Sequence, residues 1–166
     1  RPKGSPVNNA AKTTSGAVSF MDLYSMTTTL IGQEGRRGAL MLSMDVRHPD
    51  IEEFIDKKTN TDKVTSANIS VRVSDEFMQA VLNDEDYTLH YYRPEGNQTI
   101  EKTIKAKEIF HLLALRNWEW AEPGILYWDR IQNYNLLDNT GFKYAGVNPC
   151  AKFFGSGKKS GKNGEV

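Results

Sequence analysis

The residues with chemistry to offer gather around Gly146-Val147-Asn148-Pro149-Cys150, which holds the only cysteine of the chain. A lone cysteine commonly packs as a small, inert core residue. Here a proline precedes it and an asparagine stands two residues back, which favours a tight loop over a strand interior. Such a loop can hold a thiol at a fixed point in a pocket. The residues alone leave both readings open. A second candidate is the opening, residues 1–16. Arg1, Lys3 and Lys12 have no acidic neighbour there, and Gly4, Pro6 and Asn8-Asn9 interrupt regular structure. Cations, short polar side chains and free backbone N–H groups together suit an anion such as a phosphate. The alternative is an exposed, solvated loop. Neither a Walker loop nor a GxGxxG pattern is present.

The elements that must position these residues belong to a globular chain. Hydrophobic residues make up 39% of the 166 and charged residues 25%. Lys+Arg and Asp+Glu number 21 each, so nothing suggests general affinity for nucleic acid. No apolar run is long enough to span a bilayer, and no signal peptide is evident. A single cysteine excludes an internal disulfide and fits a reducing cytoplasm. The chain opens at Arg1 within a loop-like stretch and reads as a piece of a longer protein.

Ser19 is expected to cap a helix carrying Phe20, Met21, Leu23, Tyr24, Leu30 and Ile31, with Asp22 favourable in its first turn. Its apolar residues lie on more than one side, which suits packing on a core and on a partner. Gly35-Arg36-Arg37-Gly38 reads as a tight turn into residues 39–46, a nearly continuous apolar run expected to be a strand buried on both faces of a parallel sheet. His48-Pro49-Asp50 opens the next helix with proline in its first turn and an Ile51, Phe54, Ile55 stripe. Residues 57–66 form a polar loop. Residues 68–74 alternate as a strand, and Ser74 or Asp75 caps a helix through Phe77 and Leu82. Residues 87–92 and 99–104 pair around Pro94-Glu95-Gly96-Asn97. Residues 106–121 form a helix with Ile109, Leu112, Leu113, Leu115 and Trp118, stopped by Glu122-Pro123-Gly124. Residues 125–128 read as a short buried strand. Helix after buried strand is the βα unit of an α/β fold.

The stretches Gly4-Ser5-Pro6-Val7, Gly35-Arg36-Arg37-Gly38-Ala39, His48-Pro49-Asp50-Ile51-Glu52-Glu53-Phe54, Asn68-Ile69-Ser70-Val71, Pro123-Gly124-Ile125 and Asn148-Pro149-Cys150 occur in the order of one family. Over residues 1–151 the chain resembles the catalytic subunit of ribonucleotide reductase, nearest its adenosylcobalamin-dependent (class II) branch. The resemblance implies an α/β fold, part of a ten-stranded α/β barrel with a finger loop through its middle. It implies that residues 1–16 and 57–66 are the two specificity loops. A deoxynucleoside triphosphate (dNTP) effector would then meet Lys3, Asn8, Lys12, His48, Lys58, Asn60 and Lys63. For His48 the alternative is a helix-start residue without a ligand. The helix over residues 19–32 would join a homodimer. Cys150 would be the radical cysteine at the finger-loop tip, taking the 3′ hydrogen of a ribonucleotide, and Asn148 would bind the ribose hydroxyls. Adenosylcobalamin would generate the radical; the alternative is a separate metal-containing subunit. A thiol reductant system would complete the cycle through two cysteines outside this chain. No metal ligand, nucleic acid or membrane partner is expected here.

The family's pattern is Asn-x-Cys-x-Glu, with the glutamate as general base, yet position 152 is Lys152. A protonated lysine cannot accept that proton. Residues 152–166 contain four glycines, four lysines and one acid and read as an unrelated flexible tail. The chain by itself is therefore expected to be inactive. Two alternatives are a non-catalytic dNTP-binding and dimerisation piece, and a reductase stub interrupted by an intein.

Overall fold

The computed structural model describes residues 1–32, 38–60, 63–93, 98–150 and 153–157. In chain order the elements are α1 (Phe20–Leu30), β1 (Met41–Asp45), α2 (Ile51–Asp56), β2 (Asn68–Val73), α3 (Asp75–Asn83), β3 (Asp86–Arg93), β4 (Gln98–Lys105), α4 (Ala106–Trp120), β5 (Gly124–Tyr127), α5 (Trp128–Asn133), β6 (Phe142–Val147) and β7 (Phe153–Gly157). Two short 3-10 turns follow α2 and α5, at Lys57–Thr59 and Asp138–Thr140. No described helix is long and apolar enough to cross a membrane.

The expected parallel sheet is present. Its order is β1-β2-β5, with Met41 opposite Asn68 and Ser70 opposite Gly124. Among the described strands it stays open at β1 and β5, and two antiparallel hairpins, β3–β4 and β6–β7, stand beside it. Helices α2 and α4 share one buried cluster with β1 and β2 through Ile51, Phe54, Ile55, Ile109 and Leu113, all buried. Burying one such side chain contributes about 1.5–3 kcal/mol. Ser74 caps α3 as expected, its hydroxyl accepting from Phe77 N–H at 3.1 Å. Each of these features follows from local periodicity or capping.

Several expectations need correction. The run over 39–46 narrows to β1, where Met44 alone is buried and the rest are half-buried, because no described strand covers its outer edge. Ser19 does not cap α1: its backbone is already helical and its hydroxyl donates to Gly16 O at 2.8 Å. Pro49 precedes the N-cap Asp50 and is not in the first turn. Leu115 and Trp118 leave the core, Trp118 being 87% exposed, since five residues past Leu113 the helix has turned well away from the buried cluster. Strand β5 is half-buried, and Trp128 begins α5 instead of ending a strand. Part of the expected tail, Phe153–Gly157, pairs with β6. The expected turns at 35–37 and 94–97, and Lys152, lie outside the described residues.

Helix α1 has an inverted face. It buries Ser25 and Thr28 with Met21, and exposes Leu23, Tyr24, Met26, Leu30 and Ile31. Gly38 permits this close seat: a Cβ there would stand 2.4 Å from Thr28 O.

Candidate functional site

Cys150 lies in the turn between β6 and β7, just beyond the last pair, Val147 opposite Phe153. Pro149 fixes its own φ and supplies no N–H. Asn148 closes the turn with its side chain, Oδ1 accepting from Cys150 N–H at 3.1 Å, as asparagine does two residues before the amide it binds. Gly146 and Val147 are buried, Asn148 is half-buried and Cys150 is exposed. The expected tight loop is therefore present, and its thiol faces outward from this segment.

Polar contacts hold that hairpin. Gln132 Nε2 donates to Tyr144 O at 2.8 Å, and buried Asn135 donates to Phe142 O at 2.6 Å. Lys143 pairs with Asp138. Helix α5 is itself tied to the sheet: Arg72 of β2 lies 5.0 Å from the Trp128 ring centroid, and Asp129 accepts from Asp75 N–H at 2.7 Å. A connected path thus runs from β2 through α5 to β6 and the thiol. Sequence reading missed Gln132 and Asn135, because short amides in a loop-like stretch carry no periodic signal.

The basic opening folds back on itself. Val7 N–H donates to Lys12 O at 2.8 Å, and Pro6 bridges to Thr13. Lys12 adopts φ 60° at the tip, where Asn8 and Lys12 are exposed. Lys3 and His48 meet at the start of α2. Lys3 N–H donates to the Asp50 carboxylate at 3.0 Å, and Asp50 N–H donates to His48 Nδ1 at 3.1 Å. The His48 ring stands edge-on to Tyr91, 5.9 Å between centroids. Burial pushes its pKa below the ordinary value, outweighing the carboxylates of Asp50 and Asp45. A neutral ring agrees with Nδ1 as acceptor.

The described residues on either side of positions 61–62 contact α1. Lys57 pairs with Asp22 at 2.8 Å, Ser66 N–H donates to Ser25 Oγ at 3.0 Å, and the hydroxyls of Ser66 and Thr29 meet at 2.7 Å. Lys58 turns the other way and pairs with Glu122. Lys63 N–H donates to Asn60 O at 3.1 Å, and exposed Lys63 lines a cleft of about 530 Å³ with Asp22, Ser25, Met26, Thr29 and Leu30. Asp22 Oδ1 is buried and makes no hydrogen bond among the described residues. It is an acceptor available to a bound hydroxyl or amide. Asp22, Ser25 and Thr29 were not among the expected site residues. Their signal is three polar residues at positions 22, 25 and 29, one face of an otherwise apolar helix. The structure thus sets the expected residues in three places: Asn148 with Cys150, Lys3 and His48 below the Asn8–Lys12 tip, and Asn60 with Lys63 beside α1. Lys58 is engaged elsewhere. Among the described residues no group of three His, Cys, Asp or Glu side chains is placed to hold a metal ion.

Comparison with known proteins gives a family match over residues 1–160, to the model described as ribonucleotide reductase, barrel domain. The match runs past Ala151, where sequence reading ended the resemblance. The chain is similar to the vitamin B12-dependent ribonucleoside-diphosphate reductase of Thermoplasma acidophilum, 40% identical over 154 residues, covering 92% of this chain and 20% of that protein. It is similar to the vitamin B12-dependent ribonucleotide reductase of Streptomyces clavuligerus, 35% identical over 164 residues, 84% of this chain and 17% of that one. The Mycobacterium tuberculosis H37Rv vitamin B12-dependent ribonucleoside-diphosphate reductase is 32% identical over 154 residues, 92% of this chain and 21% of that one. The chain spans about a fifth of the length of these relatives.

Proposed function

The chain belongs to the ribonucleotide reductase family, and from that premise we propose that it is the part of a reductase barrel that carries the radical cysteine and the dNTP specificity region. The whole enzyme converts ribonucleotides to 2′-deoxyribonucleotides. Cys150 gives up its S–H hydrogen atom to the radical generator and becomes a thiyl. The thiyl takes the 3′ hydrogen of the ribose. The 2′ hydroxyl then leaves as water, two cysteines outside this chain supply the electrons and become a disulfide, and the Cys150 thiol returns the hydrogen atom to the 3′ carbon and becomes the thiyl again. That disulfide is returned to dithiol by a thiol reductant system. Asn148 faces the sugar hydroxyls beside the thiol.

The radical generator in this reading is adenosylcobalamin, supported by the names of the similar proteins. An exposed thiol at a hairpin tip fits the one requirement this segment can meet, a hydrogen donor reachable from outside its own fold. The cofactor supplies the oxidising radical when bound. The chain's own part is to fix the thiol, through Asn148, Gln132 and Asn135, and the rest of the barrel excludes water from it.

The cleft beside α1 takes the dNTP effector. Lys63, whose N–H donates to Asn60 O, borders it, and Asp22 Oδ1, buried and without a hydrogen bond among the described residues, is offered to a sugar hydroxyl or base amide. Asn8 and Lys12 stand exposed for phosphate, and Lys3 and His48 hold the opening in place. The exposed apolar face of α1 supports a homodimer through residues 19–32. The enzyme acts in the cytoplasm. The chain alone is inactive, because the partner cysteines and the rest of the barrel are outside it. The observation that carries this reading is Cys150 at the tip of a hairpin within the matched barrel region. In the complete reductase, Cys150→Ser should abolish deoxynucleotide formation and leave dNTP binding intact. Turnover by that variant would overturn the assignment.

A further inference from the structure

Asp50 is the N-cap residue of α2, yet its carboxylate caps nothing in that helix. An N-cap aspartate ordinarily accepts from the first amides of its own helix. Here both oxygens accept from Lys3 N–H instead, at 3.1 and 3.0 Å. The other end of the opening comes to the same carboxylate. Gly16 is buried at φ 89°, and a Cβ there would stand 2.9 Å from Asp50 Oδ2 and 2.9 Å from Lys3 Cβ. Lys3 and Gly16 are thus the two feet of one loop, and both stand on Asp50. Above them Gly4 N–H donates to Thr14 O at 2.8 Å, Thr14 N–H to Ser5 O at 2.9 Å and Val7 N–H to Lys12 O at 2.8 Å, up to the exposed tip. The backbone of Asp50 is set in turn by His48, whose Nδ1 accepts Asp50 N–H; only an unprotonated nitrogen can do so. The groups around the ring are Tyr91 of β3, the carboxylates of Asp50 and Asp45, and the amino group of Arg1. Asp45 is paired with Arg47, and Lys3 Nζ with Glu53. Burial outweighs the two carboxylates and keeps the ring's pKa below its ordinary value.

We infer that Asp50 is a positioning residue that clamps both feet of the opening loop, and that His48 makes this clamp sensitive to acid. Protonation places a hydrogen on Nδ1, where it opposes Asp50 N–H. It also charges the ring, which then draws the Asp50 carboxylate away from Lys3. The clamped form resists the proton, so the hold is complete above the ordinary histidine value and is lost as pH falls through the lower folded-state value. A loop with loose feet presents Asn8 and Lys12 poorly. Weaker dNTP binding follows on the effector reading above, on which this one consequence rests.

The test uses the complete reductase as wild type, Asp50→Ala, Gly16→Ala and His48→Gln. Hydrogen exchange of residues 3–16 is followed without nucleotide and corrected for its intrinsic pH dependence, and dNTP affinity is measured by equilibrium dialysis. Both are read at about pH 7.5 and about pH 5.5, on either side of the ordinary histidine pKa. At the higher pH, Asp50→Ala should speed exchange of the Gly4, Val7 and Thr14 amides about tenfold, the scale of one hydrogen bond to a charged group, and weaken dNTP binding in step. Gly16→Ala drives a methyl group into the carboxylate and should act in the same direction, so the clamp is tested even if Asp50→Ala does not fold. Acid should speed exchange in the wild type and leave His48→Gln unmoved, since a glutamine oxygen accepts Asp50 N–H at either pH. An acid response that persists in His48→Gln would overturn the inference. So would Asp50→Ala exchange that rises in α2 while residues 3–16 hold steady, which would make Asp50 a helix cap alone. The expected exchange with unmoved dNTP affinity would uphold the clamp and take the effector away from this loop, so the two readings fail separately.

Discussion

The α1 region and the Cys150 hairpin are held by different forces. The α1 region rests on the buried apolar cluster, which runs from Val18 and Met21 through Phe54 and Phe77 to Leu113. Among the described residues the hairpin adds no member to that cluster; its buried Val147 stands apart, and Gln132, Asn135 and Lys143 tie β6 down. The α1 region thus inherits its geometry from the core. The thiol's position depends on a few hydrogen bonds, each worth about 0.5–1.5 kcal/mol. In the proposed radical role, a thiol held so lightly and exposed in this segment would need the rest of the barrel to exclude water from it.

Substitutions in the two regions should therefore behave differently. The largest effect is expected for Phe54→Ala, which should cost about 3–5 kcal/mol of global stability. Denaturant unfolding with hydrogen exchange should show α1, the sheet and α4 weakening together. Asn135→Ala comes next. It removes the donor to Phe142 O and the acceptor of Leu137 N–H, at a cost of about 1–3 kcal/mol confined to the hairpin. Hydrogen exchange should rise in residues 142–157 and stay unchanged in α1; a rise in both would erase the contrast. Ser66→Ala breaks the contacts to Ser25 and Thr29 only in part, since its N–H remains, and should cost about 0.5–1.5 kcal/mol, read as weaker dNTP binding.

Acidification should tell the regions apart as well. His48 has its folded-state pKa lowered, so below its ordinary 6.5 the unfolded chain binds the proton more readily. Stability from this group is complete above that value and declines as pH falls toward the folded-state pKa. His48→Gln should flatten the decline. An unchanged acid limb in unfolding midpoints would show that His48 is not its source. The smallest effect belongs to the Lys3–Glu53 pair, whose side chains are 62% and 44% exposed; its loss in Glu53→Gln should cost under about 1 kcal/mol.

What was legible in the sequence was local. The Ile51, Phe54, Ile55 stripe, the alternation of residues 68–73 and the Ser74 cap each follow from side chains a few residues apart. The buried strand at β1 was overstated because apolar continuity reports a neighbour that the described strands do not supply. Helix α5 and strand β7 escaped notice: one has only six residues, and the other lies in a glycine- and lysine-rich stretch whose composition suggests disorder. At the site, the loop around Cys150 was readable from Asn148 and Pro149. The partners of Lys57 and Lys58 were not, because Asp22 and Glu122 lie 35 and 64 residues away. Spacing of that order is set by the fold.

The most direct test of the radical assignment is turnover by the complete reductase carrying Cys150→Ser, with ribonucleotide, adenosylcobalamin, a dNTP and a dithiol present. The expected result is no deoxynucleotide, with dNTP affinity equal to that of the wild-type enzyme. Deoxynucleotide formation by that variant would contradict the placement of the radical site at Cys150.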